Sequence, residues 1–288
     1  MARRGRPDSG VTGCVIVDKP AGMTSHDVVD VLRRSLGTRK VGHAGTLDPD
    51  ATGVLVLGVG KGTKLLQFVT GADKTYIGEI VFGVATSTLD AAGDVTGTWD
   101  MAPSAGDVAE AAAAFVGDIE QIPPMVSAVR IDGKRLHELA REGKEVDRPA
   151  RPVTVYRYET APTEDPLVFT LDVRCSSGTY IRSLAADVGT ALGGGAHLRN
   201  LRRTSVGPFT LDDAGSATEP VVLPMIEMLR GLPRLEVDRT VADRVRVGQA
   251  LGPSGGSGQF AIVGPEDELL AVYEVREGVM TPAKVLVG

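Results

Sequence analysis

The sequence predicts an α/β chain with a small all-β tail, and two observations carry that reading. Down to about residue 231, strand-like apolar runs take turns with segments of helical periodicity. From about Pro233 the texture changes to short strand-like runs separated by glycine turns. At 288 residues the chain has room for roughly two domains, so we place a boundary there, dividing it into residues 1–231 and 233–288.

GCVIVDK reads as a strand closed by a Pro-Gly turn. Ser25 then serves as a candidate N-cap for HDVVDVLRRSLG, whose Val28, Val29, Leu32 and Leu36 recur at helical spacing and which Gly37 ends. TGVLVLGVG is a short apolar run between glycines, consistent with a buried strand. KTYIGEIVFGVAT alternates as a strand should, with Tyr76 near its start. DVAEAAAAFVGD is alanine-rich and helical. Residues 122–152 are rich in turn residues and charge around a short helix near LHELARE, a surface excursion. LVFTLDVRCSSGTYIRSLAADVGTALG gives a strand, a Ser-Ser-Gly turn, and a helix with Tyr180 and Arg182 at its start. In the tail, RVRVGQAL, GQFAIVG, ELLAVYEVREG and PAKVLVG read as strands.

Composition narrows the function. With 42% hydrophobic and 24% charged residues the chain resembles an ordinary soluble globular protein. It contains no apolar run of about 18 residues, and the basic start MARRGRPDSG has no apolar stretch behind it. No membrane span or secretory signal is expected, and the localisation expected is cytoplasmic. Cys14 and Cys175 are the only cysteines and the four histidines are scattered, so neither a metal site nor a disulfide framework is expected.

The net charge of -6 speaks against nucleic acid, but its distribution does not. Residues 1–64 hold ten Lys/Arg against six Asp/Glu, whereas residues 82–127 hold seven Asp/Glu and no Lys/Arg. Residues 182–203 add four arginines against one aspartate, which predicts a basic face opposite an acidic one.

Motifs for cofactor chemistry are missing. Gly53 to Gly58 has the glycine spacing of a phosphate-binding loop but is followed by Val59, and GKGT (Gly60–Thr63) lacks the upstream glycine. Neither a dinucleotide fingerprint nor a nucleophile elbow is present. What stands out is GHAGTLDPDATGVLVLG, where Asp48 sits in a loop of glycines and threonines just after the basic RRSLGTRK. A carboxylate repels phosphate, so its position there points to chemistry rather than to simple anion binding.

VDKPAGMTSHDVV, VGHAGTLDPDATGVLVLGVGKGTK, KTY, CSSGTYIRSLAADVG and AHLRNLRRTSVGPF, in this order, resemble the successive motifs of the TruB family of tRNA pseudouridine synthases. The resemblance spans residues 15–209, and the segment after residue 233 is similar to the RNA-binding PUA module that follows in many members, though short for one. The acidic-loop pattern R-L-D-x-x-T-S-G of synthases that act on ribosomal RNA is missing.

The resemblance implies a pseudouridine synthase fold with a mixed, largely antiparallel sheet, and conversion of uridine 55 in the T loop of tRNA to pseudouridine. In that reaction the base is detached at N1, turned, and rejoined through C5, which requires neither metal nor organic cofactor. By the same resemblance Asp48 is the nucleophile and Arg182 the cation that keeps it ionised. Tyr76 stacks on the flipped base and is placed to take the C5 proton; Tyr180 orders Arg182, and Leu201 packs against the base. His43 stacks where flipped bases leave a gap, and Lys19 and Pro20 shape the floor under the acidic loop. Lys64, Arg199, Arg202 and Arg203 are candidate phosphate contacts. The excursion at 122–152 contacts RNA, with His137 at a position often held by Tyr. The partner implied is the T-arm stem-loop of tRNA, met by a monomer. No guide RNA is expected, since the chain lacks long basic tails.

Two readings from other classes stand beside this one. A tRNA-binding or RNA-folding protein with secondary catalysis would do better without a carboxylate at residue 48. A phosphate-handling enzyme built on GKGT would bind nucleotide and lose that binding on Lys61→Ala.

Overall fold

In the computed structural model the described residues are 9–127, 130–131, 134–135, 146–253 and 257–286. Among them, a nine-stranded sheet runs in the order Gly13–Lys19, Thr52–Val59, Ala196–Val206, Lys74–Phe82, Val168–Cys175, Arg151–Pro162 and Gly117–Gln121. Val41–His43 pairs beside Thr52–Val59, and Phe209–Thr210 beside Ala196–Val206. Every pairing is antiparallel except that of Thr52–Val59 with Ala196–Val206. The sheet is therefore mixed and largely antiparallel.

The two halves of this sheet are buried differently, and the sequence shows why. Val15, Val17, Leu55 and Leu57 face the helix Ser25–Leu36 through Val28, Val29 and Leu32. Cys14, Ile16, Val54 and Val56 face Val206, Phe209 and, from the tail, Ala261 and Val272. Covered on both sides, VLVL can be apolar without alternation. Lys74–Phe82 is covered on one side only: Tyr76, Ile80 and Phe82 pack with Leu184, Ala185 and Val188 of the helix Ile181–Ala191, while Ile77 lies exposed. Its alternation follows from that.

The helix Ser25–Leu36 is capped by Thr24 rather than by Ser25: Thr24 and Asp27 form a reciprocal capping box, and Gly37 closes the helix at φ 63°. The strand expected through KTYIGEIVFGVAT breaks at Gly83 into Lys74–Phe82 and Val84–Thr86. Ala105–Ala113 is helical, with Ser104 and Asp107 forming its capping box. The short helix expected near LHELARE, with His137, lies outside the described residues.

In the tail a second sheet of five strands runs Arg234–Glu236, Gly258–Val263, Leu269–Arg276, Val279–Val285 and Leu251–Pro253. One element there corrects the sequence reading: RVRVGQAL begins not as a strand but as the end of a helix, Arg239–Arg246. Asp238 caps it by accepting from Val241 N at 2.8 Å, and Ala242 and Val245, three residues apart, bury against the sheet. The R-V-R-V alternation mimics a strand, but only its first valine belongs to the buried helical face with Ala242; Val247, the second, is exposed just past the helix end.

Candidate active site

Three buried polar side chains fix the acidic loop between Val41–His43 and Thr52–Val59. Ser25, at the start of its helix, accepts from Leu47 N at 2.8 Å and donates to Leu47 O at 3.2 Å. Lys19 is fully buried, and its ammonium gives its three protons to Pro20 O at 2.9 Å, Met23 O at 2.6 Å and Pro49 O at 2.9 Å. Lys19 thus ties the exposed Pro20 turn under the loop, while burial pulls its pKa down to about 8. Arg203 donates to Val54 O at 2.7 Å, Thr46 O at 3.4 Å and Gly45 O at 3.3 Å. Backbone carbonyls supply most of these contacts, so the loop's shape depends on the side chains around it rather than on its own.

Held this way, Asp48 meets Arg182 across the fold. The Arg182 Nε lies 3.1 Å from one carboxylate oxygen and Nη2 donates to the other at 3.2 Å. Its remaining donors reach Asp90 at 3.3 Å, Thr88 O at 2.9 Å and Val126 O at 2.8 Å. Arg182 is buried, whereas the Asp48 side chain keeps 37% of its surface accessible. Loss of solvent around Asp48 raises its pKa above the usual carboxylate value, with Arg182 the chief opposing influence and Asp90 a further raising one. The carboxylate is anchored on one edge and open on another, the arrangement a nucleophile requires.

Two cavities flank this pair. One, of about 390 Å³, is lined by Asp48 and Arg182 together with Tyr76, Tyr180, Leu201, Lys74 and Arg203. The other, of about 230 Å³, shares Asp48, Arg182 and Leu201 and is closed by Thr88, Asp90 and Asn200. Leu201 reaches both because its strand bulges between Arg199 and Arg202, with Asn200 in the left-handed region at φ 55°. Glu79 holds the bulge, accepting from Arg199 at 2.7 Å and from Asn200 at 3.0 Å. Tyr76 is almost wholly buried, and burial pushes its hydroxyl pKa up while Arg203 pulls it down.

The structure thus gathers Asp48, Tyr76, Arg182, Tyr180 and Leu201 around one space. His43 and Lys64 are in the wall of neither cavity: His43 is half-buried on its short strand opposite Leu57, and Lys64 is exposed at the end of the turn Gly60–Leu65. Arg199 is paired with Glu79, and Arg202 grips both oxygens of Asp18 at 3.1 and 2.7 Å. Arg203 overturns its expectation. At 1% exposure and with its guanidinium on carbonyls of the acidic loop, it is not available to a phosphate at the surface.

Two contributors escaped the sequence reading. Asp90 comes from the acidic stretch expected to form an opposing face, and it instead turns inward to Arg182. Gln121, at a strand end, accepts from Tyr180 N at 2.7 Å and donates to Tyr180 O at 3.0 Å, clamping the residue that starts the helix of Arg182. Neither belongs to a motif. The GKGT glycines have a packing role: a Cβ at Gly60 would stand 2.3 Å from Val11 O, and one at Gly62 2.0 Å from Gly13 O. They admit the segment that leads into the first strand.

A sheet whose central cleft presents a carboxylate locked to a buried arginine beside a tyrosine has the makings of an enzyme's active site. Comparisons with known proteins give the class a name. Residues 33–181 match the TruB family pseudouridylate synthase N-terminal domain, and residues 182–228 the tRNA pseudouridylate synthase B C-terminal domain. The chain is 50% identical over 277 residues to the tRNA pseudouridine synthase B of Corynebacterium aurimucosum, covering 92% of this chain and 93% of that one. It is 46% identical to that of Mycobacteroides abscessus (95% and 96% covered) and 42% identical to that of Geobacillus thermodenitrificans (95% and 99%). Among solved structures, it is similar to a chain of a Cbf5–Nop10–Gar1 complex, with TM-score 0.71 and 27% identity over 96% of this chain and 85% of that one. A chain of an H/ACA ribonucleoprotein bound to a substrate RNA containing 2'-deoxyuridine gives 0.69 and 26%, with the same coverage. The chain belongs to the TruB family of pseudouridylate synthases.

Proposed function

We propose that this isomerase converts uridine 55 in the T loop of tRNA to pseudouridine, with Asp48 as nucleophile on a base flipped out of its stack. The observation that carries the reading is the two-pronged Arg182–Asp48 pair opening onto a cavity walled by Tyr76, Tyr180 and Leu201. The reaction breaks the N1–C1' bond, forms C5–C1', and moves one proton off C5 and one onto N1. Oxidation state is unchanged, so no redox cofactor is called for. Asp48 attacks the ring or the sugar, which divides a difficult isomerisation into covalent steps. Arg182 keeps the attacking carboxylate ionised against desolvation.

A base inside a T loop is out of reach of Asp48, and unstacking it costs a few kcal/mol that the apolar and aromatic cavity wall offsets. Tyr76 stacks on the base, Leu201 packs on it, and Tyr180 closes the cavity. His43 fills the gap in the loop, while Lys64, Arg199 and Arg202 meet phosphates; the last two must first exchange Glu79 and Asp18. Residues 122–152 and the tail at 233–288, a PUA-like module with its own sheet, extend the grip on the T arm from the catalytic part at 1–231. We take the protein to act in the cytoplasm as a monomer and without guide RNA. Among the described residues no helix is long and apolar enough to cross a membrane.

Release of tritium from C5-labelled uridine in a T-arm stem-loop RNA tests this. Release by the native chain, lost in Asp48→Asn and confined to label at the target uridine, is the result expected. If the native chain binds the RNA and releases nothing, it is a binding protein and Asp48 is not its nucleophile.

A further inference from the structure

Lys74 is a buried cation that the reaction as described leaves without a task. Its ammonium donates to Ala72 O at 2.6 Å and Thr70 O at 3.1 Å, and among the described residues neither a third acceptor nor a carboxylate meets it. An ammonium has three donors, so one N–H is left over. Burial pulls its pKa down to about 8, and the nearby charge of Arg203 pulls the same way. A buried donor without a partner is costly, which marks this N–H as a place for an acceptor brought by a ligand.

The side chain stands where a ligand would come. Residues two apart on a strand share a face, so Lys74 and Tyr76 project from the same side of Lys74–Phe82 about 7 Å apart. Both are buried, and both line the cavity of about 390 Å³ that holds Asp48 and Arg182. The Asp48 side chain keeps 37% of its surface accessible, whereas Lys74 is 6% exposed. Asp48 therefore lies at the open side of the cavity and Lys74 at its closed side. A base lying on Tyr76 with its sugar bond toward Asp48 turns its opposite edge toward Lys74.

The ring itself says what that edge carries. In uridine the atom across the ring from N1 is C4, which bears an oxygen. In pseudouridine the sugar is on C5, and the atom across from C5 is C2, which also bears an oxygen. A donor at the far end of the cavity thus meets a carbonyl both before and after the base turns. Cytidine would bring the amino group on its C4 there instead, a donor against a donor.

We propose that Lys74 is a specificity-determining residue: its spare N–H donates to O4 of the target uridine, then to O2 of the turned base, and rejects cytidine. The inference rests on the synthase reading with Tyr76 stacked on the target base. Lys74 makes and breaks no covalent bond. A site built to hydrogen-bond one group of its substrate discriminates against an analogue that cannot supply it, because the buried donor is then left unpaired.

The test uses the full chain carrying Asp48→Asn, which stops turnover, with and without Lys74→Met. The probes are T-arm stem-loops with uridine or cytidine at the target position. Lys74→Met is expected to weaken binding of the uridine RNA about 10- to 100-fold, the scale of one hydrogen bond from a charged donor. Binding of the cytidine RNA should stay within about threefold or tighten. Equal weakening for both RNAs, or no change for either, overturns the proposal and leaves Lys74 as a brace for the turn at Thr70–Ala72. Should the Lys74 variant not melt cooperatively, the ammonium resonances of Lys74 in the Asp48→Asn chain are followed on binding RNA with uridine or with a pyrimidin-2-one riboside, which lacks O4. Displacement by uridine alone supports the bond, and displacement by both alike or by neither overturns it. Failure of the synthase reading would show separately, as a native chain that releases no tritium from C5.

Discussion

Arg182 holds Asp48 by two nitrogens and Asp90 by a third, so that one buried cation serves two carboxylates. The pairing is asymmetric. Asp90 is also tied to Thr88 Oγ1 and to Ala92 N at 3.1 Å, whereas Asp48 faces open space. Arg182 therefore stays anchored if Asp48 loses its charge. Asp48→Asn is expected to fold, to melt within about 1 kcal/mol of the native chain and to bind the T-arm RNA, while tritium release falls by more than about 10³-fold. Melting curves, a binding isotherm and the release assay check this together; a variant that turns over at a tenth of the native rate would remove Asp48 from the nucleophile's role.

Arg182→Lys should move the pH profile. Desolvation raises the pKa of Asp48 and Arg182 opposes it, so the acid limb of kcat/KM in the native chain lies above the ordinary carboxylate value of 3.8. Lysine offers a point charge in place of the fork and opposes desolvation less well. The fraction of Asp48 protonated at a given pH rises, and the limb moves to higher pH. A limb that stays in place or shifts to lower pH would contradict the assignment.

These expectations rest on features of unequal legibility. The doubly covered VLVL and the half-covered KTYIGEIVF could be told apart by alternation alone, because burial on one face imposes a period of two. The same rule carried an unused clue in LRRT: adjacent residues on a strand point to opposite faces, so Arg202 and Arg203 were bound to differ. One pairs with Asp18 at the surface and the other is buried. What strand periodicity could not reveal was which one, since the bulge at Asn200 resets the register just before them. Asp90 and Gln121 were illegible for another reason. Their partners, Arg182 and Tyr180, lie about 60 to 90 positions away, and only the closed sheet brings them together. The tail helix Arg239–Arg246 was hidden by an alternation whose second valine, Val247, lies exposed past its end, while its buried face rests on Ala242 and Val245.

Gly53 has a specific steric reason to lack a side chain. Its φ is +106°, and a Cβ there would stand 2.1 Å from the carbonyl oxygen of Arg203 on the parallel neighbouring strand. Gly22 also has a positive φ, +79°, but a Cβ would meet nothing within 4 Å. Gly22→Ala is expected to cost about 1 kcal/mol, the strain of the left-handed region. Gly53→Ala adds a backbone clash and should cost about 2–4 kcal/mol. Denaturant titration of the two variants measures the difference, and equal losses would mean that the sheet yields at the Gly53–Arg203 contact.

The clamp on Tyr180 gives a pH test of its own. Gln121 is 4% exposed and satisfies both the N–H and the C=O of Tyr180. Gln121→Ala leaves Tyr180 N without its partner, at about 1–3 kcal/mol, while Tyr180 O keeps the bond it accepts from Leu184 N at 3.2 Å. Gln121→Glu keeps an acceptor for Tyr180 N but, when ionised, sets a carboxylate against Tyr180 O. The protonated acid can donate to that oxygen, so the folded state raises the pKa of the introduced carboxyl above its unfolded value. A carboxyl whose pKa is raised on folding stabilises the protein below the unfolded pKa, and that stability is lost as pH rises through the folded one. The deficit of Gln121→Glu should therefore shrink from pH 7 to pH 4, whereas that of Gln121→Ala should not change with pH. Thermal melts of both variants across that range decide it, and parallel pH curves would show that the amide does not hold Tyr180.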